Sequence, residues 1–296
     1  MTPLSPLPRR RVVLDTDTYN EVDDQFALAH LLLSRECLDL EAVYAAPFHN
    51  SRSTGPGDGM EKSFKEIHRV MDMLNPPVRP PVFRGSTTYL PDATTPVPSS
   101  MVEDLVKRAM ASKDMLYVVA IGAITNVASA LLSEPRIAEK ITVVWLGGHA
   151  PTWPHTREFN LQQDLHGARV LLDGQAPLVL IPCDPVASHL SVTVAELEKH
   201  LESESRLGAY LTDIVRNYND NMPGRSKVIW DISASGWMVN PGWIRTTPAP
   251  SPLLKDDCTW ETPPPPGRRI IDIAQSVDRD GIFMDFFAKA KATGGR

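Results

Sequence analysis

Short apolar runs rich in β-branched residues alternate with helix-length segments along the first two-thirds of the chain. This alternation constrains the fold more than any other feature. The runs are VVLD at 12–15, LEAVYAAP at 40–47, MLYVVAIG at 115–122, ITVVWLGG at 141–148 and APLVLIP at 176–182. Between them lie segments 22–34, 59–74, 100–112, 124–133 and 164–174, each long enough for a crossover helix. Strands joined by helical crossovers must run parallel, and a parallel sheet buries both faces. The expectation is therefore an α/β fold: one doubly wound, mainly parallel sheet with helices on both faces, forming a single domain over 1–296. Ligands of such sheets sit beyond the carboxyl ends of the strands, so strand-end residues carry the functional signal.

After residue 190 the pattern turns helical at 194–203 and 206–221, then returns toward apolar character at 228–241. Pro248, Pro250, Pro252 and the run Pro263 to Pro266 read as loops and short edge strands rather than a linker. A last strand at 268–276 and a helix at 278–292 complete the C-terminal third, and no internal repeat is present.

The first such strand end holds the densest chemistry. In VVLDTDTYNEVDDQFALAHLLL, Asp15 and Asp17 are two apart, which the period of a strand aims to one side. Asp23 and Asp24 fall at the start of the following helix, where free N–H groups and the helix dipole favour negative charge. Four carboxylates gathered by one turn repel unless a cation, a proton or several donors compensate them. A hard divalent ion does so best. Oxygen-only ligation suits Ca²⁺ or Mg²⁺, since no Cys or His stands at a zinc spacing, and the loop lacks the Gly and distal Glu of an EF-hand.

This stretch resembles the opening D-x-D-P-G-x-D-D of the nucleoside hydrolase family, with TYNEV, five residues, in place of three. Further segments match in order. AIGAITNVASALL is similar to G-P-L-T-N-I-A-x-A-L, REFNLQQDLHGARVLL to A-E-F-N-x-x-x-D-P-E-A-A, WDISA to H-D-P-L-A and APFHN to V-x-G-N. The resemblance implies hydrolysis of the N-glycosidic bond of ribonucleosides, as in purine and pyrimidine salvage, with Ca²⁺ held by Asp17, Asp24, Asp231 and the carbonyl of Thr125. It implies that Asp17 takes the proton of an ion-bound water. Asp15 and Asp23 would support the ion and the ribose. Asn50, Glu158 and Asn160 would contact ribose hydroxyls, and Thr152 stands where the family has an Asn for the 5′ hydroxyl. A homodimer or homotetramer is also implied.

Trp230 occupies the position of the family's leaving-group His. An indole cannot donate a useful proton but can stack on a base, and Trp153, Trp237 and Trp243 could add walls. His49, His149 and His155 are candidates for a substitute acid. Taken singly, Thr125, Asn126 and Asp231 could be helix caps and the tryptophans packing residues. Two other readings remain open here. LDTDT also resembles the D-x-D-x-T opening of haloacid dehalogenase-type phosphatases, with Asp15 as nucleophile. A binding protein that has lost turnover through Trp230 would keep the same acids.

The formal net charge of −6 and the lack of a long basic run point to a small substrate rather than nucleic acid. Arg9 to Arg11 read as a solvated lead-in to the first strand. No signal-like core or membrane-length run is present, so no membrane partner and a cytoplasmic location are expected. Cys37, Cys183 and Cys258 are too scattered for a disulfide framework and read as buried free thiols.

Overall fold

A computed structural model describes residues 9–293 except 219, 221 and 223. Residues 1–8, expected to carry no leader, and Asn219 and Asn221 at the end of the expected helix 206–221 lie outside the described residues.

The N-terminal half runs β1 (Arg10–Thr16), α1 (Asp24–Leu33), β2 (Leu38–Ala45), α2 (Pro56–Leu74), β3 (Val82–Arg84), α3 (Ser100–Ala111), β4 (Leu116–Ala120), α4 (Thr125–Ser133) and β5 (Ile141–Leu146). There follow α5 (Phe159–Gln163), α6 (Leu165–Asp173), β6 (Leu178–Ile181), β7 (Ser191–Thr193), α7 (Val194–Leu197), α8 (Arg206–Tyr218) and β8 (Ser226–Val228). The chain ends with α9 (Ile232–Val239), β9 (Ile244–Pro250), β10 (Ile270–Val277) and α10 (Arg279–Thr293). An eight-stranded sheet has the order β3-β2-β1-β4-β5-β6-β10-β9, parallel except for β9, which pairs antiparallel with β10. The expected doubly wound sheet is thus present.

Strand parity explains the two cores. Val12 and Leu14 of β1 enter one apolar cluster with α1, α2 and α8 to α10, while Val13 enters the other with α3, α4 and α6. Both faces are covered, as unbroken apolar strands require. From β1 the chain builds outward to β2 and β3, then returns to the far side of β1 as β4. The order therefore reverses between β1 and β4, which opens a crevice at their carboxyl ends.

Proline-rich 244–250 forms the edge strand β9, as the expected loops and edge strands allow, where missing N–H donors cost least. Segment 194–203 is helical as expected, one α turn followed by a π-helical turn, Glu198–Glu202. The short β7 and β8, which form a separate antiparallel pair, gave no pattern long enough to read. Arg10 and Arg11 lie inside β1 rather than ahead of it, and Arg11 Nε donates to Glu41 Oε1 at 2.5 Å. Cys183 and Cys258 are buried and free; Cys37 is free but half-buried. Among the described residues, no helix is long and apolar enough to cross a membrane.

Candidate active site

The crevice between β1 and β4 opens into a cavity of about 260 Å³. Its acidic floor comes from three elements. Asp17 follows β1, Asp23 and Asp24 start α1, and Asp231 precedes α9. Carboxylate oxygens of Asp23, Asp24 and Asp231 lie within 4.8 Å of one another. Residues more than 200 positions apart converge because α9 packs along α1 and carries Asp231 to the same sheet edge.

Burial is severe. Asp17 is 1% and Asp24 1% exposed, and neither oxygen of Asp17 has a hydrogen-bond partner. An orphaned carboxylate in that position is costly unless an ion or donor completes it. Burial, then the charges of Asp24, Asp23 and Asp15, push the Asp17 carboxyl well above the usual range. Burial followed by Asp23 pushes Asp24 up to about 7. Burial and the same neighbours raise Asp231 well above its ordinary value. These shifts report burial first and stacked negative charge second, and an oxygen-only donor set of this kind fits a hard divalent cation.

The surrounding hydrogen bonds fix each acid. Thr16 Oγ1 donates to Asp24 Oδ1 across the turn. The Trp230 backbone N–H donates to Asp23 Oδ2 at 3.1 Å. Asp15 Oδ1 accepts from Asn126 Nδ2 at 2.7 Å, and the same amide donates to Ala45 O at 3.3 Å. Lys227, buried on β8, pairs with Glu21 at 2.6 Å and lowers Asp23 in part against its burial.

Ile121, directly after β4, and Leu146, the last residue of β5, also line the cavity. Asn160 Nδ2 donates to both carbonyls, at 3.2 and 3.1 Å, so its Oδ1 is the amide atom left to accept from a ligand. Glu158 caps α5, accepting from Asn160 N at 2.8 Å and Leu161 N at 3.0 Å, and also takes the Gly148 N–H at 2.7 Å. Gly148 has φ +68, and a Cβ there would stand 2.6 Å from Thr156 Oγ1. Glycine is required for this turn.

The structure brings Asp17, Asp23, Asp24, Asp231, Asn160 and Trp230 into one cavity, with Glu158 also at its wall. Other expected residues lie elsewhere. Asp15 is buried behind the floor and does not line the cavity, which removes the access a phosphatase nucleophile needs. Thr125 sits in the first turn of α4, its hydroxyl donating to Asp164 at 2.6 Å; a carbonyl there points along the helix, and Ile121 at the end of β4 lines the cavity instead. Asn50 donates to Asn20 Oδ1 at 2.6 Å, and it is Asn20 that reaches the cavity.

Thr152 is exposed on its loop. Among the tryptophans only Trp230 lines the cavity: Trp153 is exposed, Trp237 packs toward Tyr117 with ring centroids 6.3 Å apart, and Trp243 packs on the core. Of the candidate histidines, His149 lines it, whereas His49 is exposed and His155 packs on His149 at 5.5 Å.

Asn20, Ile121, Arg157, Cys183, Asp184 and the supporting Lys227 were not legible as site residues. Asn20 lies inside the acid loop and could have been weighed from that position alone. Ile121 lines the cavity while its carbonyl accepts from Asn160, a backbone contact that no side-chain pattern announces.

A family model described as inosine-uridine preferring nucleoside hydrolase matches residues 12–280. A pyrimidine-specific ribonucleoside hydrolase RihB of Escherichia coli O1:K1 / APEC is 26% identical over 153 residues, 49% of this chain and 48% of that protein. The chain thus matches about half the length of that curated relative. Among solved structures, a plant nucleoside hydrolase, the PpNRh1 enzyme, superposes with a TM-score of 0.76 at 17% identity, covering 96% of this chain and 100% of that one. A purine-preferring ribonucleoside hydrolase from Gardnerella vaginalis gives 0.71 at 20% identity, covering 96% and 99%. At these identities the likeness is one of fold.

Proposed function

Since the chain belongs to the inosine-uridine preferring nucleoside hydrolase family, we propose that it hydrolyses the N-glycosidic bond of ribonucleosides, releasing the free base and ribose. The observation that carries this reading is Asp17. Its two buried, unpartnered oxygens stand among three further carboxylates at the switch point of a parallel sheet.

Asp17, Asp24 and Asp231 would hold a divalent cation, Ca²⁺ in our reading, with the Ile121 carbonyl as a neutral oxygen. When bound, the cation compensates the acids and polarises the oxygens it touches. The remaining work falls to the chain. Cleavage builds positive charge on the sugar, and ionised carboxylates beneath it stabilise that charge more than they stabilise the neutral ground state. Asp17 accepts the proton of the attacking water. Asp23, fixed by the Trp230 N–H, accepts from a ribose hydroxyl, and Asn160 Oδ1 accepts from another. Trp230 supplies a flat wall against which the base stacks.

Incubation of the purified protein with uridine and inosine, with and without chelator, tests the reading by quantifying free ribose. Ribose release lost on chelation and restored by Ca²⁺ supports it; no release from any nucleoside, with calcium bound, sinks it.

A further inference from the structure

Five residues, TYNEV, separate Asp17 from Asp23, and their backbone is held in place. Asn20 N donates to Asp17 O at 2.7 Å. The Arg52 guanidinium donates to Glu21 O at 2.9 Å and lies 4.3 Å from the centroid of the Tyr19 ring. The loop thereby delivers two polar side chains to the cavity, those of Asn20 and Glu21, next to the acids assigned to the ion and the ribose.

Each side chain has one function left for a ligand. Asn20 Oδ1 accepts from Asn50 Nδ2 at 2.6 Å, so Asn20 Nδ2 is the atom free to donate. Glu21 is the reverse. Its Oε2 pairs with Lys227 at 2.6 Å, whereas Oε1 meets only the Tyr218 hydroxyl at 3.5 Å, the far limit of a hydrogen bond. A carboxylate held by an ammonium offers acceptors only. Lys227 is itself buried and does not line the cavity, so at the wall the pair presents an acceptor.

Burial orders the two along the wall. Asn20 is 8% exposed and lies deep, near the floor. The Glu21 side chain is 35% exposed and also borders the groove outside the cavity, between α1, α2 and α8. Glu21 is tied to Lys227 and Asp23 to the Trp230 N–H, so the loop flanks the side of the cavity on which the base stacks. A base projecting from C1′ toward the mouth therefore meets a donor first and an acceptor beyond it. Adenine and cytosine complement that order, with a ring nitrogen lone pair and, further from the sugar, an exocyclic amine. Hypoxanthine and uracil, the bases of the two nucleosides for which the family model is described, present a ring N–H and an oxo group there instead. On this wall the N–H would face the Asn20 amide donor and the oxygen would face a carboxylate.

We propose that Asn20 and Glu21 select the base, so that ribonucleosides with an amino group beside an unprotonated ring nitrogen, adenosine and cytidine, are preferred to their oxo counterparts inosine and uridine. This rests on the ribohydrolase reading and names the substrate class of the same site.

Initial rates of ribose release from adenosine, inosine, cytidine and uridine, measured on the calcium-loaded protein, decide the matter. A hydrogen bond to a charged group is worth about 10–100-fold, so kcat/KM should be at least about tenfold higher for adenosine than for inosine and for cytidine than for uridine. In Glu21→Gln the side-chain amide turns to serve either group, and both ratios should fall to about threefold or less. Comparing ratios cancels the intrinsic lability of each nucleoside and any general loss of activity in the variant. Inosine and uridine cleaved as fast as adenosine and cytidine by the unmodified protein would overturn the proposal while leaving the hydrolase reading intact. An amine preference that survives Glu21→Gln would do the same. No ribose from any of the four would instead overturn the hydrolase reading, and this inference with it.

Discussion

The backbone N–H of Trp230 donates to the side chain of Asp23 at 3.1 Å, joining the start of α9 to the start of α1 across 207 positions of sequence. That bond sets the spacing of the acidic floor, because Asp24 and Asp231 are the next residues along each chain. An ion bound between them therefore ties α1 to α9.

Chelation should lower the melting temperature. A ligand that binds only the native state at 100 times its Kd adds about 2.7 kcal/mol, which for a chain of this size is roughly 4 °C. Differential scanning fluorimetry with chelator, then with Ca²⁺ restored, measures it. Asp231→Asn should shrink the calcium-dependent shift, and an unchanged shift would place the ion elsewhere.

Asn160 pins the carboxyl ends of β4 and β5 through one amide group. Replacing that donor with an acceptor sets a carboxylate against two carbonyls. Asn160→Asp should cost about 1–3 kcal/mol of stability, the penalty for leaving buried polar groups unpaired. Urea denaturation reads the loss, and a midpoint equal to that of the unmodified protein would show that the two carbonyls do not depend on Asn160.

Gly85 lies where β3 approaches the site. A Cβ there would stand 2.2 Å from Ala45 O and 2.3 Å from Asn126 Nδ2. Asn126 holds Asp15, so the clash propagates to the acids. Gly85→Ala should destabilise by about 1–3 kcal/mol and weaken calcium affinity as well. A stability loss with unchanged calcium affinity would show that Asn126 does not transmit it.

His30 is fully buried, Nδ1 at 3.0 Å from Ser235 Oγ and Nε2 at 2.9 Å from Asp285 Oδ2. Burial lowers its pKa below the ordinary 6.5, against the opposing bond from Asp285. The native state excludes a proton that the unfolded chain takes up, so stability is full above 6.5 and falls as pH drops through the folded value. The slope reaches up to about 1.4 kcal/mol per pH unit for one proton. Denaturant midpoints at pH 7.5, 6.5 and 5.5 should decline, and His30→Gln should flatten that decline. Equal slopes in both proteins would exclude His30 as the cause.

Much of this was legible because it is periodic or local. The strand and helix alternation from 12 to 182 gave the parallel sheet, and the D-x-D and D-D pairs gave the floor. What stayed hidden depends on tertiary placement. Ile121 comes in through backbone geometry and Lys227, which pairs with the cavity residue Glu21, through a three-residue strand, neither of which leaves a pattern. Thr125, Thr152 and Asn50, placed by matching a motif in sequence, do not line the cavity. In space, Thr125 belongs to a helix turn, Thr152 to an exposed loop and Asn50 to the support of Asn20.

Asp17 is the residue on which the account turns, and Asp17→Asn is the substitution that tests it. Ribose release from the best nucleoside is measured for both proteins at saturating Ca²⁺, with folding checked by circular dichroism. The account predicts a fall in kcat of at least about 10²-fold, the usual worth of a positioned base, in a variant that remains folded. Turnover within a factor of two of the unmodified protein would contradict it.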